Sequence, residues 1–101
     1  MREINWSNIA QLDYWDNIDF LQQKWTENKV RKFITKTEEV LNLLKSPNVS
    51  FKPTHYKNTF QVPITKHITF YYRIGTDNNI ELLRFFNTYQ NLNKLRFPTN
   101  Q

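Results

Sequence analysis

The stretch His67-Ile68-Thr69-Phe70-Tyr71-Tyr72-Arg73-Ile74 alternates strictly between two kinds of side chain. Ile68, Phe70, Tyr72 and Ile74 share one face, and His67, Thr69, Tyr71 and Arg73 share the other. That period of two predicts a β-strand with one face turned to a core. Gly75-Thr76-Asp77-Asn78-Asn79 follows as a turn cluster. Ile80 to Phe86 is then apolar except for Glu81 and Arg84, which predicts a buried strand whose facing the pattern leaves open. On the other side, Phe60, Val62 and Ile64 alternate with Gln61 and Pro63. This is a third strand, with Pro63 placing it near an edge or a bulge. The short links between the three favour antiparallel pairing. Asn48 to Asn58, with Pro53 inside it, reads as a loop.

A sheet with one apolar face needs a covering layer, and the preceding residues supply it. Val30, Phe33, Ile34, Thr37, Leu41 and Leu44 recur at steps of three and four, with Val40 beside them. This is the cleanest helical period in the chain. Thr26 is its expected N-cap, and Ser46-Pro47 its stop. An earlier helix, from Asn8 to about Lys24, follows the N-cap Ser7 and presents Ile9, Leu12, Trp15, Ile18 and Leu21 as its apolar face. Asp13, Asp16 and Asp19 are read on its outer side, and Trp6, Trp15 and Trp25 as core. Arg2 to Trp6 alternates and reads as a short first strand. The expected order is β-α-α-β-β-β: an α+β fold with a two-helix hairpin on one face of a small antiparallel sheet. Residues 1–101 read as a single domain, since the chain shows no repeat or linker.

Composition narrows the function. Aromatic residues are 16% of the chain, too many for a solvated tail. There is no cysteine, which excludes disulfides, thiolate zinc sites and thiol catalysis. Two His with few acids nearby disfavour a metal site, so neither a metal nor another cofactor is expected. No apolar run approaches the ~18 residues of a membrane span, and Met1 to Trp6 lacks the core of a secretory signal. A cytoplasmic protein without membrane contact is expected.

The net charge of +5 is unevenly spread. Residues 1–45 carry equal numbers of bases and acids. Residues 46–101 carry Lys52, Lys57, Lys66, Arg73, Arg84, Lys94 and Arg96 against only Asp77 and Glu81. A one-sided field of this kind favours an anionic partner. Arg84 interrupts an apolar strand and must reach an edge, a partner or a ligand. Arg73 either serves a ligand or pairs with Glu81 across the hairpin.

The element order, together with particular segments, resembles the RelE/ParE superfamily, the small toxins of type II toxin–antitoxin pairs. The segments are Ile4-Asn5-Trp6-Ser7 with Ala10 and Asp13, Phe33-Ile34 to Leu44, Ile68 to Ile74, and Ile80 to Phe86 running into Asn87-Thr88-Tyr89-Gln90-Asn91 and Lys94-Leu95. The resemblance implies a curved antiparallel sheet carrying two helices on one face. It also implies one of two activities: cleavage of mRNA on the ribosome, or inhibition of DNA gyrase without cleavage. The cleaving members use a basic and aromatic cluster, to which Arg73, Arg84 and Tyr89 correspond as catalytic candidates. Lys52, Lys57 and Tyr71 correspond as RNA-binding candidates. Thr88-Tyr89-Gln90-Asn91 has no His, so the branch that uses a His beside a Tyr is not matched. Cleavage by 2′-hydroxyl attack needs a base, a cation for the phosphorane and an acid for the leaving oxygen. The expected partners are the ribosome and mRNA, or gyrase as the alternative, and a cognate acidic antitoxin.

Overall fold

The computed structural model describes residues 2–24 and 26–88, together with Leu95 and Phe97. Strand β1 (Ile4–Trp6) leads into helices α1 (Asn8–Lys24) and α2 (Glu27–Leu44). Strands β2 (Lys52–Pro53), β3 (Thr59–Pro63), β4 (Ile68–Ile74) and β5 (Ile80–Asn87) follow. They form one sheet in the order β1-β5-β4-β3-β2. The expected α+β architecture is observed, with two additions. Lys52–Pro53, read as loop, is a two-residue edge strand paired with Phe60 and Gln61. Strand β1 joins the far side of β5 in parallel, Ile4 opposite Ile80 and Trp6 opposite Leu82. A helical crossover permits that direction, but a local period cannot reveal it.

Helix α2 behaves as its period predicts. The Thr26 hydroxyl accepts from the Lys29 amide at 3.4 Å. Val30, Phe33, Thr37, Val40 and Leu44 are buried against the sheet. The buried Thr37 hydroxyl is satisfied by the Phe33 carbonyl one turn back, at 2.8 Å. On the sheet, Ile68, Phe70 and Tyr72 face the same core with Leu82 and Phe85. Phe70 stacks on Phe85 at 5.1 Å, and Trp6 stacks on the same ring at 5.6 Å. The Tyr72 hydroxyl, deep in the core, accepts from the Phe51 amide at 3.3 Å.

Helix α1 departs from the expectation. Its buried residues are Ala10, Asp13, Asn17, Ile18 and Leu21. Leu12 and Trp15 are 64% and 62% exposed, and Ile9 lies on the same outer face. Trp15 is therefore not core, and Asp13 faces inward. The cause lies in the sheet: β1 pairs with β5 only as far as Leu82, which leaves the rest of that β5 edge without a strand. Helix α1 runs along this edge and replaces the missing strand with side chains. Ser7 donates from its amide to the Leu82 carbonyl (3.1 Å) and from its hydroxyl to that of Leu83 (3.2 Å). Asp13 accepts from the Phe85 amide (3.1 Å), and Asn17 donates to the Phe85 carbonyl (3.1 Å). Buried backbone groups demand such partners, so polar residues take the inward positions. Trp15→Ser should accordingly cost less than about 1 kcal/mol in urea denaturation; a larger loss would mean that the ring is structural.

Candidate functional site

The face of the sheet away from the helices is set by register, and parts of it are covered: Thr59 and Phe86 are buried. Thr59, Arg73 and Glu81 lie in one cross-strand row, and Asn5 extends it on β1. Lys52, Gln61 and Tyr71 lie in the next. Side chains directly opposite one another share a face. Lys52 from β2 and Tyr71 and Arg73 from β4 are thus brought onto one surface. Lys57 is exposed in the β2–β3 connection, where its carbonyl accepts from the Thr59 hydroxyl at 2.9 Å. Tyr89 lies outside the described residues.

Aromatic rings gather beside this row. Phe97 meets Tyr71 at 5.2 Å and Tyr56 at 4.8 Å, and Tyr56 stacks on His55 at 4.5 Å. Burial raises the pKa of the Tyr71 phenol, and the neighbouring Tyr56 raises it further. The group therefore stays protonated at neutral pH and serves as a hydrogen-bond donor rather than a base.

The two arginines take different environments. Arg73 bonds Glu81 at 3.0 Å, with side chains 17% and 35% exposed. Arg84 is buried. Its Nε and Nη2 reach the Asp13 carboxylate at 2.6 and 3.1 Å, a bidentate pair. A bulge explains the turn: Tyr71 pairs with Arg84 but Tyr72 pairs with Leu82, so Leu83 is the extra residue. Bulges re-aim side chains, and here both Leu82 and Phe85 enter the core while Arg84 meets α1. Arg84 thus lies opposite Tyr71 in register, with its guanidinium turned to the Asp13 carboxylate.

Sequence reasoning treated Glu81 only as a partner for Arg73. It is the one acid of the chain within a described strand, and it stands opposite Arg73 on the same face. The signal was present: a carboxylate in the polar register of a strand whose other polar-face neighbours are cationic or neutral. Among the described residues no three His, Asp or Glu side chains come together as a metal site. No described helix is long and apolar enough to cross a membrane.

No protein-family model matches the chain, and no curated protein matches it. Solved structures do match in fold. The chromosomal ParDE TA system of P. aeruginosa superposes with a TM-score of 0.70 at 16% identity, over 86% of this chain and 96% of that one. YafQ and DinJ of E. coli, solved as a complex, give 0.60 at 14% identity, over 88% and 96%. The YoeB/ParE toxin of Agrobacterium tumefaciens gives 0.56 at 18% identity, over 84% and 96%. The chain has the RelE/ParE/YoeB-like fold, a helical hairpin on a curved sheet.

Proposed function

We propose that the protein is the toxin of a type II toxin–antitoxin pair and that it cleaves mRNA on the ribosome, in the cytoplasm. The fold is that of proteins described as toxins or as parts of such systems. The observation that carries the cleavage reading is the polar row on the sheet face away from the helices, where Arg73 and Glu81 meet at 3.0 Å, partly exposed, beside Tyr71 and Lys52. Glu81 accepts the 2′-hydroxyl proton, Arg73 stabilises the charge that builds on the phosphorane, and the 5′-oxygen leaves with a proton from water as the 2′,3′-cyclic phosphate closes. Lys52 and Lys57 hold flanking phosphates. Tyr71 donates a hydrogen bond to the bound RNA. The buried Arg84 acts indirectly, by holding β5 to α1. Nothing here is a strong base, so the ribosome has to supply substrate orientation. The partner that restrains the toxin is a cognate antitoxin.

A second reading is favoured by one feature. Both arginines of the expected cluster already bond carboxylates, which suits a surface that binds without cleaving, as a gyrase inhibitor would. Toeprinting on programmed ribosomes, run beside a gyrase supercoiling assay, separates the two. The purified protein is expected to cut A-site mRNA, spare free RNA and leave supercoiling intact. Blocked supercoiling with uncut mRNA would transfer it to the second reading, and no effect in either assay would sink both.

A further inference from the structure

The β2–β3 connection is a turn fixed by its own hydrogen bonds. The Thr54 amide donates to the Thr59 carbonyl at 2.8 Å, and the Thr59 amide to the Tyr56 carbonyl at 3.2 Å. The Thr54 hydroxyl accepts from the Tyr56 amide at 3.0 Å. Asn58 turns the chain with a φ of 55°, a left-handed conformation that Asn tolerates. Its carbonyl accepts from the Ile74 amide at 3.0 Å, which ties the turn to the end of β4.

This framework holds out two rings. The His55 imidazole stacks on the Tyr56 phenol at 4.5 Å and 29°. Both residues are exposed, Tyr56 by 48% even though it touches two other rings. Phe97 meets Tyr56 edge-to-face at 4.8 Å and Tyr71 at 5.2 Å, so the stack is joined to the face that carries Arg73. A single exposed ring needs no explanation, but contiguous rings beside a polar row mark a binding surface. The surrounding field is positive. Lys52 and Lys57 are exposed on either side of the two rings in the chain, and no acid occurs between Ser46 and Thr76.

We propose that this turn is a nucleobase subsite: an unpaired base of RNA extends the His55–Tyr56 stack, and Lys52 and Lys57 hold the adjoining phosphates. The proposal rests on the cleavage reading only in naming mRNA as that RNA. On that reading the subsite positions the strand and biases which base lies near the reacting phosphate. Because the turn is already fixed, the strand docks without first ordering the loop. Stacked rings beside sparse lysines suit a base and its phosphates better than an acidic peptide, which anchors through apolar side chains in a groove.

The test is fluorescence anisotropy of the full chain with a fluorescein-labelled oligoadenylate RNA at low salt. Saturable binding is expected. Tyr56→Leu, which keeps an apolar side chain but loses the plane, should weaken it about fivefold or more. His55→Ala should weaken it too, Tyr56→Trp should bind at least as well as the wild type, and Trp15→Ser on the exposed side of α1 should leave binding unchanged. Both turn residues are exposed, and circular dichroism melts check that the variants fold. Three results overturn the subsite: no saturable binding by the wild type; binding by Tyr56→Leu and His55→Ala equal to that of the wild type; or displacement of the probe by polyglutamate as effective as by unlabelled oligoadenylate, which would mark a surface for acidic protein. Toeprinting of the same proteins separates the two readings. If the wild type cuts mRNA and the turn variants keep both cutting and oligoadenylate binding, the subsite falls and the cleavage reading stands. If the turn variants lose oligoadenylate binding while the wild type cuts no mRNA, the cleavage reading falls and the subsite stands.

Discussion

Asp13→Ala is expected to destabilise the protein by about 3–5 kcal/mol, the cost of leaving a buried charge without its partner. Two groups lose their acceptor at once. The Arg84 guanidinium loses a bidentate carboxylate, and the Phe85 amide loses its 3.1 Å bond. Neither can turn to water, because the Asp13 and Arg84 side chains are 10% and 9% exposed. Against a typical domain stability of about 5–15 kcal/mol the loss is large, and urea denaturation followed by circular dichroism measures it directly. Asp13→Asn keeps an acceptor oxygen for the amide but removes the charge, so it should fall between the wild type and the alanine variant. Replacing the pair together, Asp13→Leu with Arg84→Met, should recover only the part of the loss due to the buried charge, since the Phe85 amide still lacks its acceptor. A cost below about 1 kcal/mol for Asp13→Ala would show that the pair does not hold α1 to β5.

The second large effect is on activity. Arg73→Ala should slow mRNA cleavage by about 10²–10³-fold, the usual result of removing one preorganised stabiliser of transition-state charge. Stability should change by no more than about 1 kcal/mol, because the Arg73–Glu81 pair is partly open to solvent. Arg73→Lys restores the charge without the planar fork and should recover only part of the rate. Glu81→Gln should also slow cleavage, because the amide cannot accept the 2′-hydroxyl proton. On the cleavage reading, an Arg73→Ala variant that cleaves mRNA like the wild type would remove this face from the chemistry.

The contrast between these two arginines shows how far local pattern reaches. Arg73 sits in a strand of strict alternation, so its face and its Glu81 partner could be read from spacing alone. Arg84 posed a question that sequence could frame but not answer. A charge inside an apolar run needs an acid, yet its acid lies 71 residues away in the chain. Asp13 gave no hint of its role, because its neighbours Leu12 and Trp15 looked like the buried face of the helix. Glu81 went unrecognised as a candidate base because a cross-strand ion pair already accounted for it.

Periodicity by itself determined the helical hairpin, the three consecutive strands and the two faces of β4. These depend on the spacing of apolar residues over a few turns or pleats, which the chain carries locally. Tertiary structure decided everything set by where β5 runs out of partners. The parallel pairing of β1 ends at Leu82, and the bulge at Leu83 shifts the facing of β5. Along the bare edge beyond, α1 must turn Asp13 and Asn17 inward to satisfy backbone groups. That requirement exists only once strands distant in sequence have come together. Hydrogen bonding at the unpaired edge then outweighs the amphipathic preference of the helix, leaving Leu12 and Trp15 in solvent and Arg84 buried against Asp13.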